Sequence, residues 1–322
     1  MYRIAALLVA VAPMAMGCSS TNAATAPNPA SHAQQAASHN AHHADFASSR
    51  IHVRLDGEEG LPDLILIPGL SSSPAIWQET VDRLKGQYRI HRIHVHGFAG
   101  APADGNAQDG INPTPVAAPV AEEIARYIRE QNLNKPAIIG HSMGGTIGMM
   151  VSARHPDAVG KLMVVDMLPF VGAMFGAPGT SAADVTPIAD QVWSAQARIP
   201  RMAYVLAATQ TISGMINTDS RREEALAHMR ASDQGVSASA FRELIVTDLR
   251  PELAAISAPI TVLYVKLNDA RMTDEVTDLI YTTSFASKPG VTLKRIDNSA
   301  HFIMFDQPAR FDAEVDAFLS AN

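Results

Sequence analysis

The amino-acid sequence predicts an α/β fold: a mostly parallel, twisted sheet with helices on both faces and a helical lid. Three observations indicate this fold. From residue 50 onward, short apolar runs alternate with longer helical patterns, which is typical of parallel strands joined by helices. Several runs, such as Leu-Ile-Leu-Ile at 64–67, are continuously apolar, as in strands buried on both faces. Between residues 167 and 258 the alternation stops and the pattern is helical.

The predicted strands and helices divide the chain into a core and an insertion. Strand-like runs occupy residues 51–55, 64–67, 88–95, 137–139, 162–165, 260–265 and 291–296. Helical patterns occupy residues 74–84 and 143–154, and further helices begin near Pro115 and Pro308. Thr114 is the predicted N-cap of the helix at Pro115, because a Thr side chain satisfies a free N–H and proline fits the first helical position. We therefore predict a core of residues 50–166 and 259–322, with residues 167–258 as a helical lid.

The composition excludes some classes of function. The chain has 322 residues, of which 47% are hydrophobic and 18% are charged, as in ordinary globular proteins. Its formal net charge is −7 and it has no block of basic residues, so nucleic acid is not an expected partner. The sequence shows neither a dinucleotide-binding glycine pattern nor a metal-ligand motif, and we expect no cofactor and no metal.

The N-terminus indicates export. Arg3 precedes an apolar run over residues 4–16, which is too short to span a bilayer but suits a secretory signal. The run closes on Ala-Met-Gly-Cys at 15–18, which resembles the lipobox of bacterial lipoproteins, and Cys18 is the only cysteine. We expect a signal peptide at 1–17 and a lipid on Cys18 that anchors the protein in the cell envelope. The alternative is cleavage near residues 22–24, which would give a soluble secreted protein.

Residues 18–49 are predicted to form a flexible tether. They are mainly Ala, Ser, Asn, Pro, His and Gln, with almost no large apolar side chain. Such a segment cannot bury enough surface to offset the entropy lost on ordering. Ser19, directly after the predicted lipidation site, resembles the sorting signal of outer-membrane lipoproteins in Gram-negative bacteria.

A single serine stands between glycines in the run Gly140-His141-Ser142-Met143-Gly144. The run follows a predicted buried strand and opens a predicted helix. A serine hydroxyl becomes a useful nucleophile when it is held clear of the backbone and given a base. A sharp strand-to-helix turn does the first, and glycines two residues before and after the serine avoid the collisions that such a turn would cause. His301 follows the last predicted strand, so we expect it at the same edge of the sheet as the base.

The chain is similar to the α/β-hydrolase superfamily over roughly residues 51–319. The matching segments are the glycine-flanked serine at 140–145, Pro-Gly-Leu at 68–70, Asn-Ser-Ala-His-Phe at 298–302 and Gln-Pro-Ala-Arg-Phe at 307–311. The resemblance implies that Ser142 is the nucleophile and His301 the general base. It also implies an oxyanion hole formed by the backbone N–H groups of Leu70 and Met143. Pro68 stands where family members often carry a histidine.

The resemblance leaves two candidates for the acid of the triad. The family usually places the acid in the loop after the strand that follows the lid, and Asp269 lies in that loop. Asp166 is the alternative, because it ends the strand at 162–165 and some superfamily members carry the acid there. Asp274 and Asp248 are weaker candidates. The acid would hold the imidazole in the correct tautomer and stabilise its charged form.

These residues predict a serine hydrolase, such as a carboxylesterase or lipase-like enzyme, acting on small to medium apolar esters through an acyl-enzyme. Trp77, Phe170 and Phe302 are candidate pocket residues, and the Met- and Phe-bearing lid indicates an apolar, adaptable pocket. Carbon–carbon hydrolase, acyltransferase and cofactor-free haloperoxidase activities stay open, because one fold hosts many reactions. A tethered binding protein without turnover is the alternative from another class, suggested by the irregular acid loop and by Pro68.

Overall fold

The computed structural model describes residues 46–177, 179–266 and 272–321. These residues contain seven strands, namely β1 (Ile51–Asp56), β2 (Asp63–Ile67), β3 (Arg89–Val95), β4 (Ala137–His141), β5 (Lys161–Val165), β6 (Ile260–Tyr264) and β7 (Thr292–Arg295). The predicted signal peptide with Cys18, most of the predicted tether, and Asp269 lie outside the described residues.

The seven strands form one sheet in the order β1-β3-β2-β4-β5-β6-β7. β1 runs antiparallel to β3, and every other neighbouring pair is parallel. The predicted mostly parallel sheet is therefore confirmed. Because the carboxyl ends of parallel strands share one edge, the segments that follow β2, β4, β5, β6 and β7 all begin at that edge.

Ten α-helices lie in the described ranges. They are α1 (Gln78–Leu84), α2 (Ala117–Glu130), α3 (Met143–Arg154), α4 (Ala182–Arg198), α5 (Arg201–Ser213), α6 (Asp219–Ala231), α7 (Gln234–Val246), α8 (Asp274–Ser284), α9 (Ile303–Asp306) and α10 (Pro308–Ser320). The first turn of the helix predicted at 74–84 is instead a 3₁₀ turn, Pro74–Trp77. The side chain of Ser73 caps this turn by accepting the N–H of Ala75.

Helices cover both faces of the sheet, as predicted. On one face, apolar side chains of α2, α3 and α8 pack with the strands in a single cluster. On the other face, α1 and α10 contribute Val81, Leu84, Phe311, Val315 and Phe318 to a second cluster. Strand residues such as those of β2 and β5 are buried from both sides, which explains why their sequences are continuously apolar.

The start of α2 differs from its predicted position. The helix begins at Ala117 rather than at Pro115, and its own preceding residue, Val116, supplies no side-chain cap. The buried carboxylate of Glu243 instead accepts the N–H groups of Val116, Ala117 and Ala118 at 2.6, 2.6 and 2.8 Å. A carboxylate suits a helix N-terminus because unpaired N–H groups and the helix dipole both favour negative charge there. The prediction of Thr114 as the cap is therefore wrong, since a residue of α7 provides it.

The segment between β5 and β6 contains the helices α4 to α7. α4 packs against α7 through an apolar cluster of Phe170, Val185, Ala189, Val192, Phe241 and Ile245, and Leu70 of the core packs against this cluster. α5 packs on α6 through a smaller cluster around Tyr204, Leu226 and Met229. With the Glu243 cap on α2, these contacts seat the helical segment on the loops at the carboxyl edge of the sheet.

No helix within 46–177, 179–266 or 272–321 has the length and apolar character needed to cross a membrane. In the same part of the chain, no group of three or more His, Cys, Asp or Glu side chains is arranged to hold a metal ion.

Candidate active site

Ser142 occupies a strained turn between β4 and α3. Its backbone angles are φ 55° and ψ −124°, a combination that non-glycine residues rarely adopt and that costs about 1–3 kcal/mol. The chain thus turns sharply from strand to helix at this one residue, the geometry that lifts a serine side chain clear of a sheet edge. Ser142 is partly exposed although its neighbours His141 and Met143 are buried.

The two flanking glycines are required by the packing around this turn. A Cβ atom on Gly140 would come closer than 3.0 Å to the carbonyl oxygen of Gly144, and one on Gly144 would come equally close to the carbonyl oxygen of Ile67. The first turn of α3 therefore lies directly against β4 and against the end of β2. Gly140 and Gly144, the pair expected from the sequence, are therefore both needed, and each avoids a collision with a backbone carbonyl.

The turn after β2 lies beside the serine. A Cβ atom on Gly69 would be 3.1 Å from the Cβ of Ser142 and 3.0 Å from Nδ1 of His141. In the part of the chain that the structure describes, neither the N–H of Leu70 nor that of Met143 donates a hydrogen bond to the protein. Two backbone donors with no protein acceptor, one of them at a helix N-terminus, form a suitable environment for a developing negative charge.

His141 joins the serine turn to the loop that carries His301. Its Nε2–H donates to the backbone carbonyl of His301 at 3.0 Å, and the two imidazole rings lie 4.7 Å apart between centroids. Burial lowers the pKa of His141 well below its ordinary value of 6.5, and the nearby charge of His301 lowers it further. His141 is therefore a neutral donor, and its hydrogen bond holds the backbone of His301 against the turn that carries Ser142.

His301 pairs with Asp166. Its Nδ1 lies 2.6 Å from Oδ2 of Asp166, which is 8% exposed. Asp166 directly follows β5 and has a left-handed backbone, φ 53°. Of the two predicted candidates for the acid, the structure brings Asp166 to the histidine. Asp269 lies outside the described residues.

The two weaker candidates for the acid are bound elsewhere. Asp274 pairs with Arg295 and Lys266 at 2.9 and 3.0 Å. Asp248 pairs with Arg250 at 2.6 Å. Both carboxylates are therefore engaged with cations on the protein surface and not with His301.

The loop of His301 is also tied to the inserted helices. Asp306 on α9 accepts the N–H of Ala300 at 2.8 Å and the N–H of Thr218, which precedes α6, at 2.8 Å. The N–H of Phe302 donates to the carbonyl of Met215 at 3.2 Å. One carboxylate thus links the residue before His301 to the helical segment, a contact that the sequence analysis missed because Asp306 lies in no recognisable motif.

The three predicted pocket residues occupy different places. Phe302 contacts the site, with ring centroids 4.7 Å from His141 and 5.8 Å from His301. Phe170 belongs to the apolar cluster against which Leu70 packs. Trp77 is fully buried in the core beneath α1 and α10 and stacks on Phe311 at 6.1 Å. The structure therefore brings Phe302 and Phe170 next to site residues, whereas Trp77 packs in the core.

Comparison with known proteins identifies the family. The sequence profile described as "Alpha/beta hydrolase family" matches residues 64–314. The chain is 27% identical over 259 residues to a pimeloyl-acyl-carrier-protein methyl ester esterase of Vibrio cholerae, covering 80% of this chain and 91% of that protein. It is 32% identical over 108 residues to the protein of the same name from Vibrio atlanticus, a match that covers 34% of this chain and 37% of the relative's length.

Solved structures show the same fold. The enol-lactonase from Burkholderia xenovorans LB400 superposes with a TM-score of 0.64 at 18% sequence identity, covering 84% of this chain and 96% of that one. At this identity the likeness concerns the fold alone. The two chains share the architecture of alternating strands and helices that the sequence predicts.

Replacing Gly140 by alanine tests the close packing at the serine turn. The added Cβ meets the Gly144 carbonyl, a backbone atom that cannot move aside cheaply, so we expect Gly140→Ala to lower the free energy of unfolding by about 3 kcal/mol or more. Gly86→Ala is the matched control, since a Cβ there meets nothing within 4 Å. Urea unfolding of both variants measures the difference, and equal stabilities would contradict the packing argument.

The neutral state of His141 predicts a pH-dependent stability. Its pKa is lowered in the folded protein, so below pH 6.5 the unfolded chain binds a proton that the folded chain does not. Stability should therefore fall as the pH drops below 6.5, by up to about 1.4 kcal/mol per pH unit from this residue. His141→Gln should flatten that decline between pH 6.5 and 5, while His52→Gln, at an exposed position, should not. Parallel declines in wild type and His141→Gln would disprove the assignment.

Proposed function

We propose that the chain, which belongs to the alpha/beta hydrolase family, is a serine hydrolase that cleaves small to medium apolar carboxylic esters through an acyl-enzyme. One observation carries the proposal: Nδ1 of His301 lies 2.6 Å from Oδ2 of the buried Asp166, and the backbone carbonyl of the same histidine accepts a hydrogen bond from His141, the residue before the strained Ser142. A histidine oriented by a carboxylate beside a serine on such a turn is the arrangement that activates a hydroxyl group.

In the proposed mechanism, Nε2 of His301 accepts the proton of the Ser142 hydroxyl as Oγ attacks the ester carbonyl. The backbone N–H groups of Leu70 and Met143 stabilise the resulting oxyanion. The imidazolium then gives its proton to the leaving alcohol, which departs and leaves Ser142 acylated. A water molecule, deprotonated by His301, repeats the attack on the acyl group and releases the carboxylic acid. Asp166 keeps Nδ1 protonated and stabilises the imidazolium throughout.

Two lines of support bear on the substrate class. The relatives are named as a methyl ester esterase and an enol-lactonase, both of which cleave an acyl–oxygen bond. In this chain, Leu70, a residue proposed for the oxyanion hole, packs against the apolar cluster around Phe170, and the ring of Phe302 lies beside the rings of His141 and His301. Apolar side chains at these positions favour an acyl group that lacks charge near the carbonyl.

Three variants test the nucleophile and the acid. Ser142→Ala should lower the hydrolysis rate of short-chain aryl esters about 10³- to 10⁶-fold, as removal of a triad nucleophile does in serine hydrolases. Asp166→Asn should lower kcat about 10²- to 10⁴-fold because a neutral amide neither stabilises the imidazolium nor keeps the imidazole in the Nδ1–H tautomer. Asp269→Asn is the matched control and should keep near wild-type turnover. Initial rates at saturating substrate measure all three.

Two results would contradict the proposal. Wild-type rates in Ser142→Ala would exclude the serine mechanism. Failure of a fluorophosphonate to label Ser142 in the folded protein, together with no turnover on an ester panel, would favour a binding protein without catalysis. A large loss in Asp269→Asn with full activity in Asp166→Asn would instead reassign the acid.

We also propose that the enzyme acts outside the cytoplasm, anchored through a lipid on Cys18. The support is the sequence alone: an apolar signal-like run that closes on the single cysteine, followed by a polar segment. Cys18→Ser should move the protein from the membrane fraction to the soluble fraction, because the anchor is lost. Wild-type protein whose N-terminal residue lies at or beyond Ala24 would contradict the anchor.

A further inference from the structure

We propose that Tyr281 is a positioning residue for the triad, whose hydroxyl group holds the Asp166 carboxylate in the orientation that His301 requires. The inference rests on the proposed function, because a positioning role has meaning only if the Asp166–His301 pair acts in catalysis. Nothing in the sequence around Tyr281 indicates such a role.

The two oxygens of Asp166 have separate partners. Oδ2 accepts Nδ1–H of His301 at 2.6 Å. Oδ1 accepts the backbone N–H of Val265 and the hydroxyl group of Tyr281, both at 3.1 Å. Each donor on Oδ1 restricts rotation of the carboxylate about its Cβ–Cγ bond, so together they turn Oδ2 towards the imidazole. They also compensate part of the cost of keeping a charge in a buried position.

Tyr281 is suited to act as a fixed donor. It is 8% exposed, and burial together with the charge of Asp166 raises the pKa of its hydroxyl well above 10.0. The phenol therefore stays protonated across the working range of the enzyme. A carboxylate can only accept, so the hydrogen bond runs from Tyr281 to Asp166.

The ring of Tyr281 is held by a second tyrosine. It stacks on Tyr264 with centroids 4.0 Å apart and planes at 21°. The hydroxyl of Tyr264 donates to Asp278 at 2.9 Å, and Arg295 of β7 donates to the same carboxylate at 2.7 Å. These contacts fix α8 to β6 and β7, so that Tyr281 approaches Asp166 from a rigid support.

The two stacked tyrosines form a matched pair. Both are buried phenols, and each donates to an aspartate. Only Tyr281 touches the carboxylate that pairs with His301. Replacing either one by phenylalanine keeps the ring and the stack and removes one hydroxyl group, which separates a positioning role from a contribution to packing.

The experiment compares Tyr281→Phe with Tyr264→Phe in the full chain, using a short-chain aryl ester. Fluorophosphonate titration of Ser142 gives the concentration of competent sites. Because kcat is calculated per competent site, a loss of folded protein does not lower its value. We expect Tyr281→Phe to lower kcat about 10- to 100-fold, as loss of a hydrogen bond to a charged group does, with KM changed less than about twofold. Tyr264→Phe should keep kcat within about threefold.

A double-mutant cycle tests whether Tyr281 acts through Asp166. In an Asp166→Ala background, measured at high enzyme concentration, Tyr281→Phe should change kcat less than about twofold, because the group that it positions is gone. The same loss in both backgrounds would overturn the proposal, as would equal losses in the two tyrosine variants or a wild-type kcat in Tyr281→Phe. If the wild type is active and any of these results is found, the role of Tyr281 is refuted and the proposed function stands. If the wild type is inactive and is not labelled by the fluorophosphonate, the proposed function is refuted, and the role of Tyr281 with it.

Discussion

The backbone conformation of Ser142 is the constraint on which the rest of the site depends. A left-handed serine between β4 and α3 is tolerated only because Gly140 and Gly144 let the first turn of the helix lie against two strands. That close approach puts the turn at 68–70 beside Ser142, so near that a Cβ atom on Gly69 would lie 3.1 Å from the Cβ of Ser142. The same approach brings His141 against the loop of His301. One strained residue therefore sets the relative positions of the proposed nucleophile, of the two backbone N–H groups proposed for the oxyanion and of the proposed base.

The inserted helices are part of this arrangement rather than a separate cover. Glu243 of α7 caps the N-terminus of α2, and Asp306 ties the start of α6 to the residue before His301. Both are carboxylates that accept backbone N–H groups across an interface, so each stabilises two segments at once. A displacement of the helical segment that broke the Asp306 contacts would therefore remove a hydrogen bond from the residue before His301.

The position of Asp166, the proposed acid, follows from the order of strands in the sheet. β5 and β6 are neighbours and parallel, so a residue following either strand starts from the same edge, one strand spacing apart. Either position can reach a histidine that follows β7, which explains why the sequence left Asp166 and Asp269 open. In the folded chain, Asp166 is buried beneath α8, where Val265 and Tyr281 supply donors to its second oxygen. A buried carboxylate needs such partners, and they come from residues about a hundred positions away in the chain.

Sequence alone determined the features that depend on local pattern. The continuous apolar runs identify buried parallel strands, and the glycine-flanked serine identifies the strained turn, because each feature leaves its pattern within a short stretch of sequence. The order of strand, serine, helix and late histidine was enough to predict the fold and to propose Ser142 and His301 as site residues. Tertiary structure decided what depends on distant residues: Glu243 rather than Thr114 at the start of α2, Asp166 as the partner of His301, and Tyr281 behind it. Each of these is a hydrogen bond that satisfies a buried charge or a free N–H group, and only the packed chain determines which polar groups are buried together.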